Sequence, residues 1–114
     1  MKLGYVIIYV PDVIKAVEFY EKAFGLTRKF VHESGYAELL TGETALAFAS
    51  EALRASNGVE IALVTNDVKA AYDQAVSAGA SPYKKPEQKP WGQIVGYVRD
   101  LNGFLVEICS PVGA

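Results

Sequence analysis

The sequence predicts an α+β fold of two βαβββ modules, which form a curled mixed sheet with the helices on its outer face. Two observations predict this fold. An apolar strand followed by an amphipathic helix occurs twice, and the aspartates Asp12 and Asp67 stand at matching positions in the two copies. In addition, one module of about fifty residues is marginally stable alone, because it has one apolar sheet face to bury. We therefore expect a single domain, residues 1–114, with modules at about 4–50 and 59–112.

The first module begins with a β-branched and aromatic strand at residues 4–10. Apolar residues at helical spacing predict a helix over Val13–Phe24, with Asp12 as its N-cap and Gly25 as a left-handed C-cap. Short strands separated by glycine-containing turns follow it. They are predicted at residues 27–32, 36–40 and 45–49.

The second module repeats the strand at residues 59–65 and the helix at 68–78, with Asn66 or Asp67 as the N-cap and Gly79 at the end. The lysine- and proline-rich stretch 83–90 predicts a loop. The remaining strands are predicted at residues 93–99 and 104–109. Residues 50–58 connect the two modules, and residues 51–55 could form a helical turn.

Composition excludes several classes of function. The 114 residues are 51% hydrophobic with a net charge of −2, so the chain can fill a core and has no basic excess for nucleic acid. One cysteine, Cys109, excludes an internal disulfide. The longest early apolar run covers residues 5–10, which is too short for a signal peptide or a membrane span. A cytoplasmic protein without membrane or nucleic-acid partners is expected.

The doubled module resembles the vicinal oxygen chelate superfamily. The resemblance also rests on FYEKAFGL at residues 19–26 and GYVRDLNGFLVEI at residues 96–108. This superfamily includes glyoxalase I, extradiol dioxygenases, fosfomycin-resistance proteins and bleomycin-resistance proteins, and the chain is closest in character to the last group. The resemblance implies the curled sheet and, for members of this length, a homodimer.

The resemblance also implies where a metal would bind. Metal-dependent members carry His or Glu at four positions on the inner sheet face, which correspond here to Tyr5, Ala47, Glu60 and Glu107. Only Glu107 is as the family has it, Glu60 is a carboxylate where His is more usual, and Ala47 offers no donor. We therefore expect no tightly bound metal and no cofactor, with Glu60 and Glu107 as weak metal candidates.

Strand alternation predicts which side chains line the inner face. The all-aliphatic face of the first strand suits packing under the helices, which leaves Tyr5, Ile7 and Tyr9 inward. By resemblance to fosfomycin-resistance proteins, Tyr97 matches an inward tyrosine that touches the ligand. The predicted ligand-binding residues are Tyr5, Ile7, Tyr9, Ala47, Glu60, Trp91, Tyr97 and Glu107.

Three functions fit these residues. The first is binding of a flat or cationic organic molecule in a groove of tyrosine, tryptophan and alanine, without metal. The alternative is a metal-dependent lyase or isomerase of the glyoxalase type, in which Glu107 and Glu60 serve as metal ligand and general base. The third is a domain for protein association only, with the groove filled by a partner subunit and Trp91 at the dimer contact. The sequence leaves open whether the protein is an enzyme.

Overall fold

The computed structural model describes residues 1–51 and 58–112. The helical turn predicted for residues 51–55 therefore lies, apart from its first residue, outside the described residues. The chain divides into two compact units, one comprising Gly4–Glu60 and the other Ile61–Ala114 together with Met1–Leu3. Within the described ranges, no helix is long and apolar enough to cross a membrane.

The first unit has the predicted β-α-β-β-β order. Its four strands lie in the order β2-β3-β4-β1, with β1 parallel to β4 and the other neighbours antiparallel. The elements are β1 (Lys2–Val10), α1 (Val13–Phe24), β2 (Thr27–His32), β3 (Tyr36–Leu40) and β4 (Ala45–Ser50). The predicted strand bounds agree with these to within two residues.

Both ends of α1 are set by local residues, and the prediction for each is confirmed. The Asp12 carboxylate accepts a hydrogen bond from the Lys15 backbone N–H at 3.0 Å, which satisfies one of the unpaired N–H groups of the first turn. Gly25 adopts φ +69°, and its N–H donates to Glu21 O at 3.0 Å. These caps fix the residues at which α1 begins and ends.

The core of the first unit lies between α1 and one face of its sheet. Val17, Leu39 and Phe48 are at most 1% exposed and pack together there. The opposite face carries a second apolar cluster, whose buried members are Ile7, Tyr9, Ala47 and Ala49. The predicted assignment of faces on β1 and β4 is therefore confirmed, since alternate residues separate into these two clusters.

The second unit repeats the order. Its strands lie in the order β5-β8-β7-β6, with β5 parallel to β8, and α2 packs on one face through Val68 and Tyr72 against Val98 and Ile108. The elements are β5 (Val59–Val64, whose first two residues, Val59 and Glu60, belong to the first unit), α2 (Val68–Ser77), β6 (Ser81–Gln88), β7 (Ile94–Arg99) and β8 (Leu105–Cys109). The fold class, α+β with two βαβββ modules, is confirmed.

The prediction of a loop over residues 83–90 is wrong. Most of that stretch belongs to β6, which runs over Ser81–Gln88 and pairs with β7. Proline lacks the N–H that a central strand needs, but β6 has only one neighbour within its unit, and register shifts on either side of Lys84 absorb the irregularity. Lysines and prolines are typical of such an edge, where they discourage pairing with other chains.

Candidate functional site

In the first unit, the sheet face opposite α1 is lined by alternate residues of three strands. The register gives two adjacent rows across β1, β4 and β3, namely Tyr9–Ala49–Tyr36 and Ile7–Ala47–Glu38. Tyr5 packs against the same cluster from the N-terminal part of β1. Tyrosines thus flank a strand of alanines, because only small residues occupy this face of β4.

Glu60 is almost fully buried and is held by a tyrosine that lies far away in sequence. Glu60 is 2% exposed, and its Oε1 accepts a hydrogen bond from Tyr9 Oη at 2.5 Å. A buried carboxylate is costly without such a donor, so this contact defines how the acid is placed. Tyr9 and Glu60, both predicted to bind ligand, are therefore direct partners.

Glu38 lies on the same face and was missed by the sequence analysis. It is 8% exposed; its Oε2 accepts a hydrogen bond from Tyr36 Oη at 2.7 Å, and Lys29 Nζ lies 3.7 Å from its Oε1. A signal was present, because Tyr36 and Glu38 alternate on β3 in the hairpin that places Glu38 beside Ala47. Among its described residues, the first unit therefore holds two acid–tyrosine pairs, Tyr9–Glu60 and Tyr36–Glu38.

In the second unit, Tyr97 and Glu107 face one another across β7 and β8. Tyr97 Oη donates to Glu107 Oε1 at 2.9 Å. Burial raises the pKa of the Glu107 carboxyl, and hydrogen bonds from Tyr97 and Cys109, with the Lys89 charge, oppose that rise without reversing it. Glu107 therefore holds its proton to a higher pH than an exposed glutamate does.

Cys109 adjoins Glu107 on the same face of β8, and its thiol is fully buried. Burial raises the pKa of Cys109 to about 12, and the charge of Glu107 adds to the effect. Because the thiolate is the reactive form, this cysteine is an inert packing residue at neutral pH.

Arg99 lies on the same strand as Tyr97, and its charge is directed elsewhere. The guanidinium carbon stands 4.8 Å from the centre of the Tyr83 ring, and the Nη1 group donates to Gly103 O at 3.1 Å. The Tyr83 ring in turn meets the Tyr97 ring edge-to-face at 6.4 Å. The Tyr83 ring therefore contacts both Arg99 and Tyr97.

Trp91 lies in the turn between β6 and β7 and is 62% exposed. Its indole N–H donates to Gln93 Oε1 at 2.9 Å, and Gln93 is 8% exposed. The sequence predicted Trp91 as a wall of the binding groove but gave no role to Gln93. The ring is exposed, as a stacking surface must be, while its polar atom is already bonded.

The donor set at the family's metal positions does not fit a resident divalent metal. Tyr5 is a poor ligand and Ala47 is none, while Glu60 and Glu107 each accept a hydrogen bond from a tyrosine. In residues 1–51 and 58–112, no group of three or more His, Cys, Asp or Glu side chains could hold a metal ion. No chemical step is therefore derived through a metal.

The predicted site residues fall into three places. Tyr5, Ile7, Tyr9, Ala47 and Glu60 lie together in the first unit, on or beside the face opposite α1. In the second unit Tyr97 and Glu107 form a cross-strand pair, and Trp91 occupies the turn that precedes β7. Their role in binding a ligand stays a prediction.

Comparisons with known proteins agree with this architecture. The family model described as "Glyoxalase/Bleomycin resistance protein/Dioxygenase superfamily" matches residues 2–108. An uncharacterized protein of Mycobacterium bovis is 27% identical over an alignment of 120 positions, which spans 90% of this chain and 79% of that protein.

Solved structures share the fold at low identity. A glyoxalase/bleomycin resistance protein/dioxygenase superfamily member from Vibrio splendidus has a TM-score of 0.79 at 18% identity, over 96% of this chain and all of that one. A methylmalonyl-CoA epimerase of Streptomyces coelicolor has a TM-score of 0.74 at 22% identity, over 99% of this chain and 96% of that one. At these identities the likeness concerns the fold alone.

Proposed function

Because the chain belongs to the Glyoxalase/Bleomycin resistance protein/Dioxygenase superfamily, we propose that it binds a small organic molecule on a sheet face opposite its helices, without a resident metal. One observation carries the proposal. Each carboxylate at a family metal position accepts a hydrogen bond from a tyrosine of its own unit, Tyr9 for Glu60 and Tyr97 for Glu107. A site built in this way offers oriented hydrogen-bond acceptors and aromatic rings in place of metal ligands.

These groups suit a flat or cationic molecule. A carboxylate in surroundings of low dielectric attracts an ammonium or N–H group more strongly than it would in water. The partly buried ring of Tyr5 supplies a surface for stacking and for cation–π contacts, and the buried ring of Tyr9 packs beside it. The acids Glu38 and Glu60 lie in the first unit, and its face therefore favours positive charge.

The proposal is tested with chelator-treated protein and three probes, measured by calorimetry and thermal unfolding. The probes are 1-methylquinolinium, a planar cation, cyclohexyltrimethylammonium, a non-planar cation, and 2-naphthalenesulfonate, a planar anion. We expect saturable binding of the planar cation. At a hundredfold excess over Kd, ligand binding stabilises a protein by about 2.7 kcal/mol, or about 10 °C for a chain of this length.

Glu60→Gln should weaken binding of the two cations to the first unit and leave binding of the anion unchanged, with Glu18→Gln on the surface of α1 as the matched control. The proposal would be overturned if none of the probes bound and Ni, Zn, Mn or Fe(II) bound with micromolar affinity at one ion per chain. Metal titration of the same chelator-treated protein therefore belongs in the experiment.

A second candidate function, proton transfer by Glu107 in a lyase or isomerase, is favoured by the raised pKa of that carboxyl. The test is exchange of solvent deuterium into small 2-oxo acids and into the hemithioacetal of methylglyoxal and glutathione, followed by NMR. Glu107→Gln should abolish exchange and preserve the fold. Glu87→Gln, which changes an exposed acid of β6, is the control and should leave exchange unchanged. Equal rates in both variants would exclude this function.

A homodimer and a cytoplasmic location complete the proposal. The exposed aromatic rings Phe19 and Phe24 on α1 support association, because their contact with water is unfavourable. The buried free thiol of Cys109 is typical of a reducing compartment. Sedimentation equilibrium distinguishes a 12.3 kDa monomer from a dimer, and a monomer at every concentration would refute the dimer.

A further inference from the structure

The chain has one tryptophan, and its exposed ring is held by a buried amide. Trp91 is 62% exposed, yet its indole N–H donates to Gln93 Oε1 at 2.9 Å. The other end of that amide is also fixed, because Gln93 Nε2 donates to Ser110 O at 2.7 Å. The amide therefore links the indole to the backbone that follows β8.

We propose that Gln93 is a positioning residue that holds the Trp91 indole as a stacking platform for a planar ring of the ligand. This inference rests on the proposed small-molecule binding and names one element of that ligand, an aromatic or heteroaromatic ring. A ring held by its own protein before binding loses little conformational freedom when the ligand arrives. Because the N–H is bonded internally, the faces of the indole are its binding surface.

The backbone around Trp91 is fixed as well. Lys89 N–H donates to Gln93 O, and Gly92 N–H donates to Lys89 O, both at 2.8 Å. These bonds close a tight turn between β6 and β7 with Trp91 inside it. Backbone turn and side-chain hydrogen bond together restrict the position and the orientation of the indole.

The position of the anchor argues for a small-molecule occupant. Gln93 immediately precedes β7, and continuing the alternation of that strand by one residue puts Gln93 on the side of Tyr97, which pairs with Glu107. Gln93 and Tyr97 are four positions apart, which is about 13 Å of extended chain. One drug-sized ligand can therefore place a ring on Trp91 and a polar group at the Tyr97–Glu107 pair.

The single tryptophan makes the test specific. In the full chain, 1-methylquinolinium should quench the fluorescence in a saturable way, with a midpoint equal to the calorimetric Kd of the site in the second unit, which Glu60→Gln should leave unchanged. Loss of one aromatic stacking contact in Trp91→Leu should weaken binding about 2- to 12-fold. Phe104→Leu, at another exposed ring of the same unit, is the control and should leave Kd unchanged.

The role of Gln93 has its own readout. Gln93→Met keeps the side-chain length but removes the acceptor, so indole fluorescence anisotropy should fall and Kd should rise. Gln93→Glu keeps an acceptor for the indole and should preserve the anisotropy. Circular dichroism checks that each variant folds, and the comparison of Trp91→Leu with the natural chain does not depend on either Gln93 variant.

The possible failures are distinguishable. The platform would be refuted if calorimetry showed saturable binding but the quenching were purely collisional and Trp91→Leu bound the probe with the same Kd as the natural chain. That result would leave the proposed function intact. Absence of binding to the natural chain by calorimetry would refute both. A change of sedimentation in Trp91→Leu without a change of Kd would also overturn the inference, since Trp91 would then be a subunit contact.

Discussion

Removal of the Tyr9 hydroxyl tests the hydrogen bond that holds the buried carboxylate of Glu60. Tyr9 Oη donates to Glu60 Oε1 at 2.5 Å, and the two residues are 9% and 2% exposed. A hydrogen bond to a charged group contributes about 1.5–3 kcal/mol, and its loss leaves part of the carboxylate's desolvation uncompensated. Tyr9→Phe should therefore lower the free energy of unfolding by that amount, which for 114 residues lowers Tm by about 6–12 °C.

Urea unfolding followed by circular dichroism measures this loss. The matched control is Tyr72→Phe, a tyrosine of similar burial whose ring packs in the core under α2. Glu60→Gln and the double variant complete a thermodynamic cycle, in which the two single losses should sum to more than the double loss. A loss in Tyr9→Phe no larger than in Tyr72→Phe would refute the view that this hydroxyl stabilises a buried carboxylate.

Three further predictions concern pH, reactivity and backbone strain. The folded-state pKa of Glu107 is raised, so the contribution of this residue to stability is complete below about pH 4 and is lost as the pH rises through that pKa. Over this range of pH, the unfolding free energy of Glu107→Gln should rise relative to that of the natural chain. A difference between the two free energies that does not change with pH would contradict this. Native Cys109 should resist iodoacetamide at pH 8 and react in urea, whereas reaction at equal rates in both would show that the thiol is accessible. Gly35→Ala should destabilise the protein more than Gly42→Ala. Both glycines have a positive φ of about +90°, but only at Gly35 would an added Cβ lie 3.0 Å from Ser50 Cβ. Equal losses of stability in thermal unfolding would exclude a steric cost at Gly35.

Local signals explain why so much of the first unit was predictable. The helix over Val13–Phe24 has its predicted bounds, because Asp12 and Gly25 set its ends through contacts within one turn. The strand β6 was missed for the complementary reason. Prolines and lysines look like a loop in sequence, and only its place at the edge of the unit's sheet allows them in a strand.

The sequence by itself determined the two modules, the ends of α1 and the face of β1 on which Tyr5 and Tyr9 lie, since these depend on spacing along the chain. Only the tertiary structure decided which tyrosine meets which acid. Tyr9 and Glu60 are separated by 51 positions, and Gln93 meets the backbone of Ser110 17 positions away. Such contacts follow from strand register and packing between distant segments, which periodicity does not encode.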